Sequence, residues 1–292
     1  MLIRYGYQIT LVCAQETAIL ARLNVHPQRE GDVLYEVPFH ATPSVPSTVF
    51  ADEYGNRSRR FMAPAGRISL RADGLIADAG RCDDVDHSAR EVPVLELPAD
   101  AMPFLLGSRY CETDLLSGVA WQLFGGVTAG WARVQAICDF VHGHLTFSYP
   151  NARSTRTAFE AYQEQIGVCR DFTHLAITLC RCMNIPARYV NGYLGDIGVP
   201  PDGAPMDFSA WFEVYLGDRW YTFDARHNAR RIGRIVIARG RDAMDVPMIH
   251  SFGPHTLESF HVTTDEVTGT EAMEQFDADT WQRILPRVRF AA

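Results

Sequence analysis

Residues 169–183 place Phe172, Leu175, Ala176, Leu179 and Met183 on one apolar face at helical spacing, and Asn184-Ile185-Pro186 stops the run. Such a helix has to be covered, and the chain that follows supplies the cover. Residues 187–194, 209–216 and 219–223 alternate apolar and polar, with Gly217-Asp218 between the last two as a two-residue hairpin signal. A helix followed by antiparallel strands is an α+β arrangement, with the helix packed on the sheet. At the head of this helix stands Cys169, in Gly167-Val168-Cys169-Arg170-Asp171, where loop becomes helix. A thiol there lies at the positive end of the helix dipole among unpaired N–H groups, which predicts a lowered pKa and an available thiolate. Asp171 falls in the first turn, where a carboxylate is expected as a cap.

Upstream, residues 127–144 carry Val127, Trp131, Val134, Ile137, Cys138 and Val141 on one stripe, and a short helix is expected over 158–165. His142 and His144 fall at the end of the first of these helices, where they are expected to bond its free carbonyls. The beginning of the chain reads differently. Residues 2–11 and 66–76 alternate, 33–39 and 57–62 are shorter runs of the same kind, and turn chemistry separates them at 43–46 and 52–56. The expected organisation is an antiparallel β domain over 1–95, a connector over 96–115 and the α+β core over 116–292.

The formal net charge of −8 gives no electrostatic reason to expect nucleic acid or an anionic membrane as partner. No run approaches the ~18 apolar residues of a membrane span, and Met1 to Tyr7 alternates like a strand and lacks the layout of a signal peptide. Seven cysteines, an odd count without regular spacing, read as reduced thiols in a cytoplasmic protein. Cys180 and Cys182 lack a second Cys/His pair at finger spacing and read as buried thiols, so no metal is expected. No nucleotide or flavin motif occurs; Gly192 and Gly195 lack the spacing and helix start of a dinucleotide loop. No cofactor is expected.

The stretch GVCRDFTHLAITLCRCMNIPARYVNGYL, followed by DFSAWFEVYLGDRWYTFDARHN, resembles the core of the bacterial transglutaminase-like superfamily over roughly residues 115–265. The first 95 residues are similar to the β-rich region that often precedes that core. The resemblance implies a papain-like thiol fold and a mechanism using a Cys at a helix start, a His on a following strand and an Asp on the next. Cys169 matches the first position, and Asp224, in Phe223-Asp224-Ala225, matches the third. The His belongs in a D-x-H-A-W context, and here the chain reads Asp207-Phe208-Ser209-Ala210-Trp211. Ser209 stands where the imidazole is implied.

The hairpin can be registered independently. A turn at Gly217-Asp218 pairs Leu216 with Arg219, so Trp211 faces Asp224, Ser209 faces Arg226, and all four share one face. A serine with no partner base cannot take the thiol proton, and general-base help is worth ~10²–10⁴ in rate. Arg226 is then a candidate cation to hold a preformed thiolate, and His227 a substitute base if a bulge after Asp224 turns it inward. His174, about 140° round the helix from Cys169 at ~100° per residue, reads as a packing or capping histidine. Tyr149 and Trp211, with Arg226, are the candidate substrate-contacting residues, and the Cys169 backbone N–H is the expected oxyanion donor. Two functions follow. One is a thiol peptidase or amidase acting on peptide or glutamine amide bonds through an acyl-thioester on Cys169. The other is a non-catalytic module on the same scaffold that binds a peptide or protein.

Overall fold

The computed structural model describes residues 1–201, 203, 205–268 and 271; the stretch 272–292 of the expected core lies outside the described residues. The chain opens with six strands: β1 (Leu2–Cys13), β2 (Thr17–Ala21), β3 (Val33–Thr42), β4 (Ser47–Ala51), β5 (Arg57–Ala63) and β6 (Gly66–Ala77). Alternation makes β1, β3, β5 and β6 legible. The short β2 and β4, reading TAILA and STVFA, show no apolar–polar alternation. Residues 78–112 form no strand and lead into the helices α1 (Thr113–Phe124), α2 (Trp131–His144) and α3 (Ala158–Glu164). The second helix begins at Trp131 rather than at 127, because Gly130 before it has φ +95°, outside the right-handed helical region. Thr157 and Glu160 cap α3 reciprocally: each side chain accepts the other's backbone N–H, at 3.3 and 3.0 Å.

Two-residue strands β7 (Thr146–Phe147) and β8 (Ile166–Gly167) pair in parallel and bring the chain to α4 (Cys169–Cys182). The sequence shows one apolar face on α4, yet every residue from Asp171 to Cys182 is buried. The cause is enclosure: α1, α2, α3 and the sheet that follows all pack against this one helix. Its polar side chains therefore bond internally. Thr173 and Thr178 donate to the carbonyls four residues back, at 2.9 and 2.7 Å. Arg181 donates to the carbonyls of Ala187 and Leu106, at 2.9 and 3.0 Å.

The sheet packed on α4 is antiparallel, with β9 (Ala187–Tyr193), β10 (Phe208–Leu216), β11 (Arg219–Phe223) and β12 (Ile235–Gly240) in the order β11-β10-β9-β12. The architecture is α+β. Two further strands, β13 (Ile249–Ser251) and β14 (His255–Val267), do not extend this sheet. They cross back to the start of the chain and complete sheets ordered β14-β1-β6-β3 and β13-β2-β5-β4. One continuous apolar core joins these sheets to the helices. Across it Tyr5 meets Tyr193 at 5.4 Å and Tyr7 meets Phe208 at 6.4 Å, so the N-terminal strands buttress the end of β10 that carries Ser209.

Candidate active site

The loop entering α4 is held by a buried carboxylate. Asp171 accepts from the Val168 N–H and from Arg156 Nη1, each at 3.0 Å, and from Arg170 Nη2 at 3.2 Å. The cap expected of Asp171 is thus an ion-paired clamp with no exposed surface. It needs Gly167, because a Cβ there would lie 2.6 Å from the Asp171 Cβ. This fixes Cys169 as the first residue of the helix, where its N–H has no intrahelical acceptor.

Burial works against ionisation of the Cys169 thiol. Burial pushes its pKa up to about 11, and the Arg226 charge and a backbone hydrogen bond from Ala210 pull the other way without prevailing. Asp207 nearby adds to the rise. This overturns the expected lowering: a dipole at a helix end is worth ~0.3–1 kcal/mol, less than the cost of dehydrating a thiolate.

Asp224 is buried at the end of β11, with its carboxylate fully engaged. His227 donates Nδ1–H to Oδ2 at 2.8 Å, Arg234 donates to the same oxygen at 3.0 Å, and the backbone N–H groups of Arg226 and His227 both reach Oδ1 at 3.0 Å. Burial opposes ionisation, but Arg234 and His227 outweigh it and hold the carboxyl well below the usual carboxylate range. The hairpin register is as expected from Leu216↔Arg219 to Phe212↔Phe223, where the ladder ends. The extension that would set Trp211 against Asp224 and Ser209 against Arg226 does not form. Asp224 instead caps a turn with its own carboxylate, which competes with strand pairing. That turn, rather than a bulge, presents His227 to Asp224.

Two hollows meet at Phe208 and Ser209. One, of about 320 Å³, contains Cys169 with Tyr110, Asn191 and Met248 in its walls. The other, of about 40 Å³, is lined by Tyr149, Asp207, Arg226 and His227 among others. Ser209 is buried, and its Oγ has no hydrogen-bond partner among the described residues. The Arg226 guanidinium lies over the Phe147 ring at 3.9 Å. Among the described residues, the hydrogen bonds of His227 run to Asp224 and none reaches the Cys169 sulfur.

Trp211 does not contact the cleft. It is 1% exposed, packed with Val190 and Val236 beneath the Arg234 guanidinium, so it offers a substrate no surface. Tyr149 is exposed, edge-on to Phe147 at 4.9 Å. His174 packs as expected: it stacks on Tyr110 at 5.1 Å and accepts the Ala243 N–H at 3.1 Å, and burial holds it neutral. His142 and His144 bond the carbonyls of Arg226 and Tyr162, at 2.8 Å each, rather than those of their own helix, whose last turn leads directly into β7. Sequence reasoning missed Arg234, Asp207 and Asn191. Arg234 and Asp207 lie outside the regular strands, and Asn191 reads in sequence as an ordinary polar residue of an alternating strand, so nothing local singles out any of them.

A structure from Cytophaga hutchinsonii, described as a "putative cysteine protease", superposes with a TM-score of 0.80 at 30% identity, covering 92% of this chain and 91% of that one. The sequence profile of the Transglutaminase-like superfamily matches residues 118–225. The chain belongs to the transglutaminase-like superfamily. Among curated proteins, this transglutaminase-like chain is 31% identical over 96 residues to the uncharacterized protein ML0607 of Mycobacterium leprae. It is 36% identical over 92 residues to Rv2569c of Mycobacterium tuberculosis. It spans about a third of the length of these curated relatives. Among the described residues no helix is long and apolar enough to cross a membrane. No group of three His, Cys, Asp or Glu side chains there is placed to hold a metal ion.

Proposed function

We propose that this protein is a thiol-dependent amidase acting on peptide or glutamine amide bonds, with its imidazole supplied from a new position. The reading is carried by the Asp224–His227 hydrogen bond of 2.8 Å. A carboxylate on Nδ1 leaves Nε2 of a neutral ring as the proton acceptor, and the hollow lined by His227 shares Phe208 and Ser209 with the hollow that contains Cys169. The Ser209 hydroxyl, which both donates and accepts, then carries the thiol proton across that divide. Catalytic hydrogen bonds are often long in a free enzyme and tighten on the substrate.

The Cys169 sulfur attacks the amide carbonyl; an S–C bond forms, the C–N bond breaks, and the thiol proton leaves on the amine. Water then cleaves the thioester to a carboxylic acid and restores the thiol; an amine in place of water gives transamidation. A reducing, cytoplasmic setting accords with seven unpaired cysteines. The test is the pre-steady-state release of nitroaniline from peptidyl and glutamyl nitroanilides, with the acyl-enzyme trapped by acid and weighed. Wild type should acylate at Cys169, and His227→Ala and Ser209→Ala should each slow acylation by about 10²-fold or more. Release no faster than that of Cys169→Ala, at neutral and at alkaline pH, would sink the proposal.

One observation favours a second reading, a non-catalytic peptide-binding module: Ser209 replaces the implied imidazole while the thiol stays protonated at neutral pH. Alkylation of Cys169 at alkaline pH with no acyl-enzyme from any amide would select it.

A further inference from the structure

The two hollows flanking Ser209 differ in chemistry. The smaller presents Asp196, Asp207, Arg226, His227 and Arg231. The larger, beside Cys169, is walled by Tyr110, Phe208, Val246, Pro247 and Met248, and no carboxylate among the described residues lines it. Its one cation among the described residues, Arg170, donates through its Nη atoms to the Arg153 and Ser154 carbonyls and to Asp171, while its Nε has no partner there. A cationic side chain entering there would lose water and find no counter-charge, and an anionic one would meet only a guanidinium already paired with Asp171.

Three polar atoms in that wall lack a partner among the described residues, Arg170 Nε, Ser209 Oγ and Asn191 Oδ1, and of these only Asn191 Oδ1 is purely an acceptor. Asn191 is 5% exposed, and its Nδ2 donates to the Val246 carbonyl at 2.8 Å, which settles which amide atom is which. Its Oδ1 is buried and receives no donor among the described residues. Strand register sets Asn191 across from Ala210, whose backbone bonds the Cys169 sulfur, so the idle acceptor lies one strand from the reacting atom. The strand cannot shift to hide it. A Cβ on the neighbouring Gly192 would overlap the Ile235 carbonyl and lie 2.7 Å from the Trp211 ring, so β9 is already packed tight against its neighbours.

Resting on the amide-substrate reading, we propose that the hollow beside Cys169 selects an uncharged, apolar residue of a peptide, whose adjoining peptide N–H is received by Asn191 Oδ1. A site built to accept an N–H rejects an analogue lacking it, because its own buried acceptor is then left unpaired.

The test uses the full chain carrying Cys169→Ala, so that binding is read without turnover. Calorimetric titration compares capped alanine-rich pentapeptides with a central Phe, Glu or Lys, and the Phe peptide N-methylated at that residue. The Phe peptide should bind about tenfold or more tighter than either charged one, and N-methylation should cost about tenfold. In Cys169→Ala with Asn191→Leu, N-methylation should cost almost nothing. Equal binding of the Phe, Glu and Lys peptides, or no saturable binding of any, overturns the inference. So does indifference to N-methylation in the protein that keeps Asn191, an outcome that does not require the Leu variant to fold. Failure of the wild type to hydrolyse amides leaves these binding results standing, whereas hydrolysis without apolar preference overturns this inference alone.

Discussion

Cys169 should react slowly with iodoacetamide near neutral pH, and the deficit can be worked from what surrounds it. Its pKa is pushed from the ordinary 9.0 up to about 11, and two units correspond to ~2.7 kcal/mol against the thiolate. At about pH 7 the thiolate fraction therefore falls roughly 100-fold. A more basic thiolate is also a better nucleophile, with a Brønsted slope of ~0.45, which recovers about eightfold. The net expectation is alkylation about tenfold slower than that of an unperturbed model thiol, with a rate still climbing at alkaline pH. Mass spectrometry of the Cys169 peptide separates this thiol from the other six. Two variants check the cause: Arg226→Ala removes a charge that favours the thiolate and should raise the pKa, while Asp207→Asn removes one that opposes it and should lower the pKa. A plateau below about pH 8.5, or both variants moving the pKa the same way, would refute the view that burial governs this site.

Asp224→Asn leaves Arg234 and His227 facing a neutral amide and should cost about 3 kcal/mol in denaturant unfolding. Because folding depresses this carboxyl's pKa, its stabilisation is complete above about pH 4 and lost as pH falls toward the folded value. Acid unfolding of the wild type should therefore show a component that Asp224→Asn lacks. Ser209→His returns an imidazole to the wall between the two hollows; amide hydrolysis rising by ~10²-fold or more would mean that the wild-type proton path is the slow element. Gly192→Ala drives a methyl into the Ile235 carbonyl and the Trp211 ring, and should destabilise the protein by about 3 kcal/mol, measured by chemical denaturation.

Much of the candidate site is legible in the sequence, for local reasons. The loop-to-helix position of Cys169 and the pairing from Leu216↔Arg219 to Phe212↔Phe223 follow from a short apolar period and a two-residue turn. Ser209 in the position where the resemblance implies an imidazole is visible in five consecutive residues. Extrapolating the hairpin past Phe223 fails because the Asp224 carboxylate satisfies the backbone of Arg226 and His227 itself, an alternative to strand pairing that periodicity cannot register. Alternation puts Trp211 on the correct face, but that face is covered by Arg234 from a segment ten residues beyond Asp224.

By itself, then, the sequence determined the α+β class and the helix with a cysteine at its head, and it put Ser209 where the resemblance implies an imidazole, all set by neighbours within a few turns or one hairpin. Only the tertiary structure decided that α4 is enclosed on all sides, that β14 returns to pair with β1, that Asp224 takes His227 and Arg234 as partners, and that burial pushes the Cys169 thiol up. Burial and ion pairing are sums over groups distant in sequence, and at Cys169 that sum outweighs the dipole of its own helix.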